Sequence, residues 1–195
     1  MVRVSGGSLR GKRVETPPDE RVRPTTGRMR ETLFSILGSR RLDGAWVLDL
    51  FAGSGVLGIE ALSRGARGAF FVESDPVVAT LIRANLLGCG VENAGAVIGE
   101  SVLRPGLDRI VHQVGQTRFG RFTPFDLVFL DPPYRHGLVA STLAMLADSG
   151  MLIPGAVAVA EHEAGGVGKE VSPVWRPLQN RRHGETQISF WQWKG

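Results

Sequence analysis

Ala45-Trp46-Val47-Leu48-Asp49-Leu50-Phe51-Ala52-Gly53-Ser54-Gly55-Val56-Leu57-Gly58 is the stretch whose reading decides the fold. Its first half is an apolar run of strand length, the glycines that follow make a tight turn, and Val56–Ser63 has helical spacing. Outward from it the same alternation recurs. Ala69-Phe70-Phe71-Val72 reads as a second strand. Asp75-Pro76 supplies an N-cap and a first-turn proline for a helix whose apolar positions Val78, Leu81, Ile82 and Leu86 return at helical intervals, ending near Gly88. Residues 96–98 make a third strand, Phe125–Leu130 a fourth and residues 156–160 a fifth, with a helix over Leu138–Asp148 between the last two. Strands alternating with helices predict an α/β fold, a doubly wound, Rossmann-like parallel sheet covered on both faces.

The ends of the chain read differently. Val174-Trp175-Arg176 and Thr186–Trp193 flank a glycine-containing loop (residues 179–184) with no helix long enough for a parallel crossover, which predicts a hairpin and a closing antiparallel strand. In the first helix, from residue 31, Leu33, Phe34, Ile36 and Leu37 point inward. Between Gly99 and Phe122 the pattern is weakest: Pro105-Gly106 breaks any helix, residues 107–114 make a short one, and residues 118–121 read as a basic loop.

Composition narrows the function. With 195 residues and 43% hydrophobic content the chain can bury a core without disulfides or metal. No apolar run is long enough to cross a membrane as a helix, and the first residues lack the apolar core of a signal peptide, so a cytoplasmic protein is expected. Cys89 is alone, and His112, His136, His162 and His183 have no metal-ligand spacing, so no metal is expected. The net charge of +4 is unevenly spread: residues 1–41 carry +6 and the remainder −2. Residues 1–30 are therefore read as a basic arm, with Arg favoured over Lys as bidentate phosphate pairing requires. Arg10, Lys12, Arg13, Arg28 and Arg30 are its candidate contacts to a nucleic-acid backbone.

Three constellations carry chemistry. In the first, Gly53 and Gly55 let a ligand approach the backbone of the turn, with Phe51, Ala52 and Ser54 beside them. Gly53-x-Gly55-x-x-Gly58 also matches a dinucleotide fingerprint, but Asp49 at the strand's end would repel a pyrophosphate. A carboxylate there suits a cationic ligand such as the amino acid end of S-adenosylmethionine. Second is Val72-Glu73-Ser74-Asp75. A carboxylate at the end of the neighbouring strand can accept bonds from both ribose hydroxyls of an adenosine, and Glu73, with Ser74 beside it, is the choice because Asp75 caps the next helix. Third is Asp131-Pro132-Pro133-Tyr134, directly after the fourth strand. Two prolines fix the backbone and remove two amide donors, leaving carbonyls free to accept. Asp131 and the Pro132 carbonyl can receive the two hydrogens of an exocyclic amine while Tyr134 stacks on the base.

Arg23-Pro24-Thr25-Thr26-Gly27-Arg28-Met29-Arg30-Glu31-Thr32-Leu33-Phe34, the glycine-rich turn, Glu60-Ala61-Leu62-Ser63-Arg64-Gly65-Ala66, Val72-Glu73-Ser74-Asp75 and Asp131-Pro132-Pro133-Tyr134 together resemble the RsmD-type methyltransferases over nearly the whole chain. That resemblance implies S-adenosylmethionine as cofactor and N2 of one guanine in bacterial small-subunit (16S) ribosomal RNA as target. Ribosomal RNA or the small subunit is then the partner of an enzyme acting as a monomer, with residues 31–195 as the methyltransferase domain. Gly184-x-Thr186 is similar to the family's closing Tyr-Gly-x-Thr element, with His183 where Tyr is usual. No adenine-binding acid stands out in residues 99–122, where Glu100 and Ser101 are candidates. Asp-Pro-Pro-Tyr is shared with adenine-N6 DNA methyltransferases, the alternative within this chemistry. A nicotinamide-dependent oxidoreductase and a non-catalytic RNA-binding module are the rivals outside it. The first shows no catalytic His, Lys or Tyr constellation, and the second leaves Asp-Pro-Pro-Tyr unexplained.

Overall fold

Apolar residues on both sides of a strand require cover on both faces, and the fold provides it. In chain order the elements are β1 (Val2–Arg3), β2 (Arg13–Val14), α1 (Gly27–Leu42), β3 (Trp46–Leu50), α2 (Val56–Ser63), β4 (Gly68–Val72), α3 (Pro76–Cys89), β5 (Gly95–Ile98), α4 (Leu107–Phe119), β6 (Phe125–Leu130), α5 (Leu138–Asp148), β7 (Leu152–Glu163), β8 (Trp175–His183) and β9 (Thr186–Trp193). The computed structural model describes residues 1–17, 27–133, 137–166 and 171–195. Among them a seven-stranded sheet has the order β5-β4-β3-β6-β7-β9-β8. Strands β5 to β7 pair in parallel, while β9 is antiparallel to both β7 and β8. The doubly wound sheet with a closing antiparallel strand is thus present.

One face of the sheet packs Phe71, Phe129, Val159 and Phe190 against Leu33 and Phe34 of α1, Ile59 of α2 and Ile82 of α3. The other packs Phe70, Val128 and Ala158 against Val111 of α4 and Leu143 of α5. Phe34 meets Phe129 edge to face with centroids 5.7 Å apart, which fixes α1 over the middle of the sheet. Val47, Leu48 and Leu50 are fully buried in β3, so the strand that ends in the glycine-rich turn lies inside the sheet, between β4 and β6.

Several boundaries differ from the sequence reading. Helix α4 runs through Arg118 to Phe119 and ends at Gly120, whose φ of 74° is the left-handed conformation that glycine adopts without strain. Arg118 is therefore not part of a basic loop: its Nη2 donates to the Glu92 carbonyl at 2.5 Å and its Nε to that of Gly95 at 3.3 Å. Strand β7 extends to Glu163 because β9 pairs it as far as Thr186. The loop expected over residues 179–184 is mostly strand β8, leaving a two-residue turn at Gly184-Glu185. Helix α1 begins at Gly27, inside the segment read as an arm. Residues 1–17 pack on the domain, where Val4 and Val14 are 2% and 0% exposed.

Candidate active site

The registers of the central strands bring the three constellations into one row. Leu50 pairs with Val72 of β4 and with Leu130 of β6. The next residues, Phe51, Glu73 and Asp131, therefore emerge side by side at the carboxyl edge of three adjacent strands, spaced about 4.8 Å apart. This edge is where open α/β sheets bind ligands.

The glycine-rich turn is held from both sides. Asp49 is 1% exposed and its Oδ2 accepts the Gly58 N–H at 2.9 Å, tying the strand to the first turn of α2. Burial pushes its carboxyl up to about 8; the Gly58 bond pulls the other way and the Glu73 charge adds to the rise. Asp49, expected as a ligand contact, thus lies beneath the turn that it supports. A Cβ at Gly58 would strike the Phe71 ring and lie 3.2 Å from Asp49 Oδ2, so this position takes glycine. Phe51 has φ 59°, alone in that region among the described non-glycine residues, and Gly53 and Gly55 follow at 53° and 76°. A left-handed phenylalanine costs on the order of 1–3 kcal/mol and marks a turn whose shape the surroundings impose. Ala52 and Ser54 are buried in it.

Glu73, half-buried, closes the other side. Its Oε2 accepts the Gly53 N–H at 3.0 Å and its Oε1 the Asp75 N–H at 2.9 Å, with Ser74 Oγ at 3.5 Å. An ionised carboxylate offers about four lone-pair sites, so Glu73 keeps acceptor capacity for the two hydroxyls of a ribose. Together with the glycine turn this set fits an adenosine-bearing cofactor. Asp75 caps α3 as expected, accepting from Val77 and Val78 N–H groups at 2.8 and 3.2 Å. Beyond β5, Glu100 is paired with Arg104 at 2.7 Å and Ser101 Oγ accepts the Leu103 N–H at 3.3 Å, so both adenine candidates have local partners at the edge of the same site. Asp131 is half-buried, Pro132 buried and Pro133 exposed; Tyr134 lies outside the described residues, as do Arg23, Thr25 and Thr26.

Of the basic candidates, Arg10, Lys12, Arg13 and Arg28 are exposed. Arg30 is not, and its assignment to RNA is corrected: it is 3% exposed, its Nη2 donates to the Arg3 carbonyl at 2.6 Å, and its Nε lies 3.4 Å from Glu60. Fully buried Glu60 also accepts from Ser5 N, Ser5 Oγ and Gly6 N and pairs with Arg64 at 2.7 Å. Asn85, absent from the sequence reading, accepts the Glu15 N–H and donates to the carbonyls of Glu15 and Ser54 at 2.9 and 3.0 Å, joining the N-terminal strap to the glycine turn. The available signal was a lone amide among Ile82, Leu86 and Cys89 on the apolar side of α3.

With this geometry in place, a family model described as conserved hypothetical protein 95 matches residues 2–192. The chain is 35% identical over 193 residues to ribosomal RNA small subunit methyltransferase D of Escherichia coli K12, covering 98% of this chain and 90% of that one. The chain belongs to the RsmD-type methyltransferase family. The solved structure of yhhF from Escherichia coli superposes with a TM-score of 0.81 at 32% identity, covering 99% of this chain and 98% of that one. An RNA methyltransferase of Salinibacter ruber, solved with S-adenosyl-L-homocysteine, shares the fold at a TM-score of 0.64 and 16% identity, over 88% of this chain and 94% of that one. The sheet is the Rossmann-like one that these methyltransferase structures share. Among the described residues no helix is long and apolar enough to cross a membrane.

Proposed function

We propose that this family member transfers a methyl group to the exocyclic N2 of a guanine in 16S ribosomal RNA of the small subunit. The observation that carries the reading is the alignment of Phe51, Glu73 and Asp131 at one sheet edge, which puts a cofactor cradle beside an acceptor set for an amine. S-adenosylmethionine supplies a methyl carbon made electrophilic by its sulfonium. Glu73 holds the ribose and the backbone from Phe51 to Gly55 receives the amino acid end, with Asp49 fixing the turn beneath it. The Asp131 carboxylate and the Pro132 carbonyl accept the two N2 hydrogens. This draws the nitrogen toward tetrahedral geometry and localises the lone pair that attacks carbon, while Tyr134 stacks on the base. Attack by that lone pair would form the N–C bond as the methyl–sulfur bond breaks, its electron pair staying on the sulfur of a neutral thioether, and the cationic nitrogen would then give up one proton to Asp131 or water. Asp131 acts chiefly by position.

Arg10, Lys12, Arg13 and Arg28 are the phosphate contacts of this reading, giving affinity that falls steeply with salt. A tritiated-cofactor assay on unmodified small subunits, naked ribosomal RNA and duplex DNA, followed by mapping of the labelled nucleotide, tests it. Label on guanine N2 of 16S RNA is expected; label on adenine in DNA, with none in either ribosomal sample, overturns it.

A further inference from the structure

The closing hairpin does more than complete the sheet. β9 and β8 continue past the last paired residue of β6: Leu130 is level with Ala160, yet β7 and β9 remain paired through Glu163 and Thr186. Three further residues raise a wall about 10 Å high beside Asp131-Pro132-Pro133. On this wall Arg181 pairs with Ile188, which pairs with Glu161, placing Arg181 three strands from the level of Asp131, about 14 Å away. Arg182 and His183 follow toward the tip.

At that height the ribbon carries Arg181, Arg182 and His183 together with the carboxyl groups of Glu161, Glu163 and Glu185. Arg181, Arg182 and His183 are exposed, and none of the three is in an ion pair among the described residues. Arg181 Nη1 and Arg182 Nε donate only to the nearby carbonyls of Asn180 and Gly184, leaving most of each guanidinium fork open. The base of the hairpin is fixed. Trp175 is 3% exposed and its Nε1 donates to the Leu143 carbonyl of α5 at 2.9 Å, so the arginines stand on a rigid ribbon. At the tip Gly184 has φ 62°, which the first central position of a two-residue hairpin turn favours. The Gly184-x-Thr186 element thus shapes the turn that presents these side chains.

We propose that the β8–β9 tip is a second phosphate clamp, in which Arg181 and Arg182, consecutive in β8 and so on opposite faces of the ribbon, contact the RNA backbone flanking the nucleotide delivered to Asp131. This rests on the reading of the protein as an RNA methyltransferase. A planar guanidinium fork with no carboxylate partner matches a phosphate, and a span of about 14 Å suits the backbone next to a base turned into the site. The strap residues Arg10, Lys12 and Arg13 lie over the opposite half of the sheet, beside α2 and α3, so the clamp holds RNA from the other side.

Steady-state methylation by the full chain carrying Arg181→Gln and Arg182→Gln tests the clamp. Arg176→Gln, at the far end of β8, is the control. The double variant is expected to raise KM for naked 16S RNA roughly tenfold or more and to lower the salt slope by one to two units. Its kcat at saturating RNA and its affinity for S-adenosylhomocysteine should stay within about twofold of wild type. Wild-type methylation of the RNA with an unchanged KM and salt slope in the variant overturns the clamp alone. A loss seen with assembled subunits and not with naked RNA moves the contact to a ribosomal protein and also overturns it. Failure of the wild type to methylate ribosomal RNA in any form overturns the underlying reading and the clamp with it.

Discussion

Asp49 shows how one buried atom group can govern both a turn and its response to pH. Burial pushes its carboxyl up to about 8 in the folded protein, whereas the unfolded chain loses the proton near the ordinary value of 3.8. Between those limits the folded state binds the extra proton, so Asp49 contributes stability that is present at low pH and lost as pH rises through 8. Asp49→Asn retains an oxygen to accept the Gly58 N–H but has no proton to lose. Urea unfolding of both proteins from pH 5 to 8.5 should show the wild type losing stability relative to the variant as pH rises; parallel curves would contradict this. Gly58 gives a steric counterpart. Gly58→Ala sets a methyl against the Phe71 ring in a packed core, and should cost about 1–3 kcal/mol with a weakened cofactor site. Thermal unfolding with and without S-adenosylhomocysteine measures both.

At the scale of elements, the N-terminal strap is held by a buried carboxylate. Glu60 collects three donors from Ser5 and Gly6 and faces Arg30 and Arg64, so one side chain on α2 fastens the strap and helix α1. Glu60→Ala leaves Arg30 buried without its counter-charge, a loss of about 3–5 kcal/mol. Limited proteolysis should then cut the chain within residues 1–17 first, and intact protection of that segment would refute the role. This docking was not legible in the sequence, where ten basic residues among the first 41 read as a polar arm. Val2, Val4 and Val14 are too few to signal a strand, and Glu60 gives no sign of the strap donors Ser5 and Gly6 because they lie more than 50 residues away in the chain. The parallel strands were legible because each is a short, nearly continuous apolar run. Of strand β8 only the start at Trp175-Arg176 was legible; the rest was not, since Asn180, Arg181 and Arg182 carry no apolar alternation and are held by pairing with β9 alone. In the site, the glycines and carboxylates were readable from their spacing. The burial of Asp49 and Arg30 was not, because each depends on contacts that only the folded chain assembles.

For the molecule as a whole, the proposed function divides labour by strand, and that division is testable. In that proposal residues at the ends of β3 and β4 cradle the cofactor, while those following β6 face the base, so removing one group should leave the other's function standing. Glu73→Ala takes away the acceptor for the ribose and should weaken S-adenosylhomocysteine binding by about 1–3 kcal/mol, the range for hydrogen bonds to a charged group. Loss of its bond to Gly53 N also loosens the turn, so the effect appears in binding. Asp131→Ala should bind S-adenosylhomocysteine nearly as wild type does, yet its kcat should fall by at least about a hundredfold, because the amine hydrogens are gripped most strongly as the lone pair localises. Asp131→Asn separates geometry from charge: it keeps one acceptor oxygen but offers an NH2 toward the amine, and should be no more active than the alanine variant. Calorimetry with S-adenosylhomocysteine and turnover at saturating RNA, run on the same preparations, read the two functions independently. Equal losses of binding in both alanine variants, or near wild-type turnover in Asp131→Ala, would break the division and return the Asp-Pro-Pro segment to an ordinary loop.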